Sequence, residues 1–376
     1  MVTFSESQRR LLAYWLPVVT AGAITWLVFV LLGHTPPIRA LALALVIAGV
    51  TLTLRRFSAP LAVTGGLALA FSPAFWSQAG GRESLPVITL ALAATGVAVA
   101  VLIWLTKRIT IGVGIGLVLF VVLFWNLAGS ERSLRLTTLL TAWLLYLLVT
   151  ALLLTNPRPD EPQPARLSAI HTLGILLLLT LGVINDPLFT LLAPAIILGL
   201  ALSRTQLPLW YWLLLAAVVL YGLRGIAVLY LDSGWWLFPA AEAQNVHVPF
   251  VIADGWRVAW RWLYLFNLVI SQFTIFGVAL GVLGLARMAR WYPTLGIVTM
   301  VAYAAYALFA LVYFGRDSSV LLLPLFMIQV IWMTYAVYAF GQWLQKSFAS
   351  DAPIVRWVAP ALFLLMPALM LLRIAG

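Results

Sequence analysis

Residues 134–155 read LRLTTLLTAWLLYLLVTALLLT, and this stretch decides the fold class. Its one charged residue, Arg135, stands in the first turn, and no Asp, Glu, Gly or Pro interrupts the remaining run to Thr155. At about 1.5 Å per residue such a run crosses the ~30 Å hydrocarbon core of a bilayer, which takes about 17 to 25 apolar residues. A buried helix of a soluble globule needs only one apolar stripe; this one is apolar all round.

The same rule applied outward places spans near 11–33, 38–54, 59–75, 86–106, 109–128, 134–155, 169–184, 187–203, 208–230, 263–286, 292–314, 319–342 and 354–374. The expectation is an all-α, polytopic transmembrane helical bundle of about 11–13 spans. The pair 169–184 and 187–203 is short and divided only by Asn185-Asp186-Pro187. It reads either as two crossings or as one broken helix pair dipping to mid-membrane. The apolar stretch after Arg9 and Arg10 lacks the short core and small-residue cleavage site of a secretory signal, so it counts as the first span.

Composition agrees. The 376 residues are 64% hydrophobic and 9% charged, against about 45–50% and about 25% in soluble domains. A net charge of +11 would suit nucleic acid only if Lys and Arg formed a patch, and here they fall in ones and twos between spans. With no cysteine and only His34, His171 and His247, thiolate chemistry and an imidazole metal cluster drop out, and the sequence names neither metal nor cofactor.

The basic residues orient the chain. With the N-terminus cytoplasmic, inside loops receive Arg9, Arg10, Arg55, Arg56, Lys107, Arg108, Arg158, Arg166, Arg204, Arg287, Arg290, Lys346 and Arg356. The outside receives Arg39, Arg82, Arg132, Arg135, Arg224, Arg257, Arg261, Arg316 and Arg373. The adjacent pairs all fall inside, as the positive-inside rule asks.

The organisation is then an N-terminal transmembrane half (1–155), a cytoplasmic Pro-rich linker (156–168), central helices (169–230), an outer loop (231–262) and C-terminal helices (263–376). The outer loop carries Asp232, Trp235, Trp236, Glu242, His247, Asp254, Trp256, Trp260 and Trp262. Tryptophan favours the head-group level, so the loop reads as interfacial short helices, serving as an anchor or as a substrate-binding surface. Gly277, Gly281 and Gly284 let helices approach closely, within the bundle or between subunits.

On this topology the polar residues gather outside. Glu83, Asp186, Asp232, Glu242, Asp254 and Asp317 lie there, beside Gln78, Asn185, Arg224 and Arg316. Carboxylates can serve as general bases and arginines can hold phosphate, so this is the face for chemistry on something delivered at the outer leaflet.

The run Phe71-Ser72-Pro73-Ala74-Phe75-Trp76-Ser77-Gln78-Ala79-Gly80-Gly81-Arg82-Glu83 resembles the "FSxxFWxQAxxxExY" signature of bacterial protein O-mannosyltransferase-like GT-C glycosyltransferases, with Leu85 in place of the Tyr. Four further pieces stand in the family's order. Leu181–Asp186 with Ala193-Pro194 is similar to "LGxxxNH", with Asp186 for His, and Tyr221–Arg224 with Trp235-Trp236 and Pro239 is similar to "YLxLR … W". Gln272-Phe273-Thr274 leading to Gly284-Leu285, and Tyr313 with Arg316-Asp317 and Pro324, look like its last patterned helices.

The resemblance implies a GT-C-like enzyme of the bacterial cytoplasmic membrane, taking a sugar from a polyprenyl-phosphate donor to an extracytoplasmic acceptor, with membrane lipid as its surroundings. It implies substrate-binding roles for His34, Trp76, Gln78, Asn185, Asp186, Arg224, Trp236 and Arg316. The family's catalytic acid usually stands in the first outer loop, and where that acid is missing either Glu83 or Asp317 is the remaining candidate for the catalytic base. The first outer loop departs from the pattern. It is cut to Gly33-His34-Thr35-Pro36-Pro37, and no acidic residue stands between Glu6 and Glu83. That departure opens two alternatives: a catalytically degenerate subunit of a membrane complex, and a transporter of lipid-linked sugar through the same outer cleft.

Overall fold

The computed structural model describes residues 6–80, 85–107, 111–112, 114–116, 119, 134–156, 167–203, 205–233, 250–251, 254–315, 318–347 and 353–375. These form α1 (Glu6–Leu31), α2 (Pro37–Leu54), α3 (Ala59–Ala70), α4 (Pro73–Trp76), α5 (Leu85–Thr106), α6 (Leu134–Thr155) and α7 (Ala169–Asn185). A 3-10 turn over Pro187–Leu192 leads into α8 (Ala193–Leu202), then α9 (Leu209–Ser233), α10 (Ala259–Trp291) and α11 (Pro293–Val312). The chain closes with α12 (Ser318–Leu321), α13 (Leu323–Ser347) and α14 (Pro353–Ala375). One two-residue antiparallel pairing joins β1 (Phe250–Val251) to β2 (Tyr313–Phe314).

Helix starts are written in Ser and Pro. Pro37, Pro60, Pro73, Pro194 and Pro293 all occupy the first or second helical position, where a missing N–H costs nothing. Ser58 adds a side-chain cap, accepting from the Leu61 amide at 3.5 Å. Inside the bundle, threonines return their hydroxyls to the carbonyl four residues back, as in Thr25 to Ala21 (2.8 Å), Thr53 to Gly49 (3.0 Å) and Thr141 to Thr137 (2.8 Å). Each of these buried hydroxyls is thereby bonded within its own helix.

Among the described residues, seven helices are long and apolar enough to cross a membrane: those holding Ala13–Leu31, Leu136–Thr155, Leu209–Ala227, Ala259–Trp291, Pro293–Val312, Leu323–Ser347 and Trp357–Ile374. Five shorter apolar helices accompany them, and the span expected near 109–128 lies largely outside the described residues. The chain is a multi-pass α-helical membrane protein.

The core is α13, buried continuously from Leu323 to Val337. It packs against α10, α3, α11 and α14, while α1, α2 and α6 form an adjoining layer. Close approach of α10 to α13 depends on glycine. A Cβ on Gly281 would overlap the Gln329 amide, and one on Gly284 would overlap the Trp332 carbonyl. Gln329 donates to the Gly277 carbonyl at 3.1 Å, and the Trp332 indole donates to Thr299 Oγ1 at 3.0 Å. The glycine pattern of the sequence is therefore used within the bundle.

Several boundaries differ from the sequence expectation. The span 59–75 stops at Ala70, because Ser72-Pro73 starts the separate turn α4. The helix expected over 263–286 begins at Ala259 and ends at Trp291, with a break at Thr274 (φ 62°, ψ 172°). Trp260, Arg261 and Trp262 thus belong to α10 and not to the outer loop. Residues 234–249 of that loop and 157–166 of the Pro-rich linker lie outside the described residues.

Candidate functional site

Alternation of the helices puts the 33–37 turn, α4, the Asn185–Pro187 break, the start of α10 and the end of α11 at one end of the bundle. There the α1–α2 turn is fastened to the segment beyond α3. Thr35 Oγ1 accepts from the Gly80 amide at 2.9 Å, and Arg39 donates through Nε (3.2 Å) and Nη2 (2.9 Å) to the Gln78 carbonyl. Phe29 meets Phe75 and Trp76 edge-on, with ring centroids 5.9 and 4.7 Å apart. Two residues in the left-handed region shape the junction, His34 (φ 47°) and Gly80 (φ 72°), a conformation that costs a side-chain-bearing residue but not glycine.

From the other side α10 reaches in. Gln272 Oε1 accepts from the Ala74 amide at 2.7 Å, two residues before the Thr274 break, and its Nε2 donates to Ser271 Oγ at 3.1 Å. Thr274 holds a φ that β-branched residues rarely adopt, so the bend is enforced by its surroundings. α12 also packs against α4, and its first residue, Ser318, meets the Tyr264 hydroxyl at 2.8 Å.

His34, Trp76 and Gln78 are therefore brought together, with Gln272 beside them. His34 is exposed and Trp76 half-buried. The Gln78 carboxamide is buried, and neither Nε2 nor Oε1 has a hydrogen-bond partner among the described residues. A sealed amide in that condition is costly, on the order of 1–3 kcal/mol.

Asn185 and Asp186 form a second, separate network with α6. Asn185 Nδ2 donates to Thr137 Oγ1 at 2.8 Å, and Thr137 donates to Asp186 Oδ2 at 3.4 Å. Asp186 Oδ1 accepts from the Leu188 amide at 3.0 Å, capping the 3-10 turn. Both side chains are buried, and the Asn-Asp-Pro sequence serves to end α7 and start the next turn. Arg224 sits on the exposed face of α9. Glu83, Trp236, Arg316 and Asp317 lie outside the described residues, Glu83 three positions after Gly80 and Asp317 directly before Ser318.

Sequence reading missed Arg261. It is buried and donates to the Leu311 carbonyl at 3.0 Å and to the Ala310 and Tyr313 carbonyls. A cation on the last carbonyls of α11 satisfies groups that a helix end leaves open. Its guanidinium also stacks with Trp260 and Tyr264, 5.2 and 4.9 Å from the ring centroids. Around it Trp256, Trp260 and Trp262 are exposed, in keeping with a head-group belt. Thr137 was missed as well; a Thr-Thr pair in the first turn of an apolar span was its only signal.

The fold and these contacts define a polytopic helical membrane protein with a polar junction at one end. No family model, curated protein or solved structure matches the chain.

Proposed function

We propose that this protein is a GT-C-like membrane glycosyltransferase, moving a sugar from a polyprenyl-phosphate donor to an extracytoplasmic acceptor in a bacterial cytoplasmic membrane. One observation carries the reading: three of the segments that resemble the family meet at one end of the bundle. These are Ser72–Gln78, Gln272 and the Ser318 turn next to Arg316-Asp317. A donor whose tail stays in the bilayer requires a site at such an end. Transfer with inversion needs a carboxylate to take the acceptor proton and a cation to hold the leaving phosphate. Glu83 and Asp317 are the candidate bases, since both flank the junction in sequence. Arg316 is better suited to the phosphate than Arg224, whose side chain is on the exposed face of α9.

Transfer of radiolabelled sugar from polyprenyl-phosphate donors, in membranes carrying wild type or Glu83→Gln with Asp317→Asn, tests this. Label incorporated by wild type and reduced at least about 100-fold by the double change supports the reading. Label unchanged by the double change removes both residues from the mechanism.

A second reading, a degenerate subunit of a membrane complex, draws on the tight turn at residues 33–36. Thr35 closes it against Gly80, and it holds no acidic residue. Copurification of stoichiometric partners from mild detergent, with no transfer detected, would favour it.

A further inference from the structure

The opposite end of the bundle carries an adjacent pair of cations. Arg55 and Arg56 come directly after the last turn of α2. The Arg55 guanidinium lies over the Tyr14 ring of α1, 3.8 Å from its centroid, and Nη2 reaches the Ala13 carbonyl at 3.5 Å. Its Nε is buried with no hydrogen-bond partner among the described residues. The Tyr14 hydroxyl meets that of Tyr146 on α6 at 3.4 Å, and exposed Arg56 is close enough for its charge to act on the Tyr146 phenol. Among residues whose side chains are described, the acidic ones are Asp186 and Asp254, both at the other end.

A guanidinium stacked on a ring is held in one plane; with Nε buried and Nη2 turned to the Ala13 carbonyl, Nη1 is the nitrogen of Arg55 left to face a phosphate, beside the exposed Arg56. The adjoining phenols add neutral donors. Three helices supply this set, so it is a formed site and not a flexible basic tail. Beside it, Trp15, Leu16 and Val19 expose apolar surface on α1, which suits acyl chains and not a free ion in water.

We propose that Arg55 and Arg56, with the Tyr14 and Tyr146 hydroxyls, seat the phosphate of an anionic membrane lipid. The site is independent of the glycosyltransferase reading and lies at the other end of the molecule.

Native mass spectrometry of the detergent-purified full chain, titrated with phosphatidylglycerol or phosphatidylcholine, tests it. Wild type binds phosphatidylglycerol more tightly than phosphatidylcholine. Arg56→Gln, at an exposed position, lowers that preference about fivefold, and Arg55→Gln with Arg56→Gln lowers it about 20-fold. Arg287→Gln with Arg290→Gln removes the same charge from exposed positions at the same end and leaves the preference in place. The proposal is overturned by wild type that does not distinguish the lipids, by an Arg287/Arg290 variant that loses the preference equally, or by Arg56→Gln that keeps it in full. Displacement of the lipid by millimolar inorganic phosphate would also overturn it, marking a site for a soluble phosphate.

Discussion

α13 and α9 are both 25 residues long, and their most apolar 18-residue windows have the same mean hydropathy, yet 83% of that window is buried in α13 against 17% in α9. Apolarity does not separate a core helix from a peripheral one here, because lipid is as apolar as leucine. The difference lies in how closely backbones approach. Around α13, Gly65 faces Thr334, Gly281 faces Gln329 and Gly284 faces the Trp332 backbone. α9 has one such stripe, where Gly222 meets Thr190 and Gly225 meets Pro187, while Leu209, Leu213 and Leu220 point outward.

The largest effect should come from Gly284→Ala. The new methyl would overlap the Trp332 carbonyl and come within 3.1 Å of its Cα. Backbone atoms have no rotamer to yield, so α10 and α13 must separate along their seam. The expected loss is about 3 kcal/mol, read as a lower unfolding midpoint in detergent. An unchanged midpoint would mean that the α10–α13 seam does not hold the fold. Gly222→Ala should cost less, about 1 kcal/mol, because its methyl meets the side chains of Thr190 and Val183 and no backbone of a neighbouring element, on a helix whose other faces are open to lipid. Equal losses at the two glycines would erase the distinction between core and periphery.

The same distinction governs how much was legible in the sequence. Span positions were, because crossing a bilayer needs only length and apolarity: residues 134–155, read from the sequence alone, coincide with α6. The glycines at 277, 281 and 284 were readable as a packing seam, but nothing local named α13 as its partner. The bend at Thr274 left no Gly or Pro to mark it. Arg261 was misread as a loop charge, since a charge count cannot know that the end of α11 passes beside it and offers three carbonyls. Of the site, His34, Trp76 and Gln78 were legible as a group only through the family-like pattern. Their fastening by Thr35, Arg39 and Gln272 depends on contacts between distant helices, which no single segment records.

The smallest expected effect is the one that tests the premise. Leu213 is 61% exposed on the outer side of α9. In a soluble protein, a leucine of a helix this apolar would be expected in the core, and its truncation to alanine would cost about 2–5 kcal/mol. In a bilayer the side chain already touches acyl chains, and acyl chains fill the space it leaves, so there is neither a transfer cost nor a cavity. Leu213→Ala should therefore move the unfolding midpoint by no more than the equivalent of about 0.5 kcal/mol. A loss of several times that would mean the outer face of α9 is covered by protein and not by lipid. The low burial of α9 would then describe the isolated chain and not the working assembly.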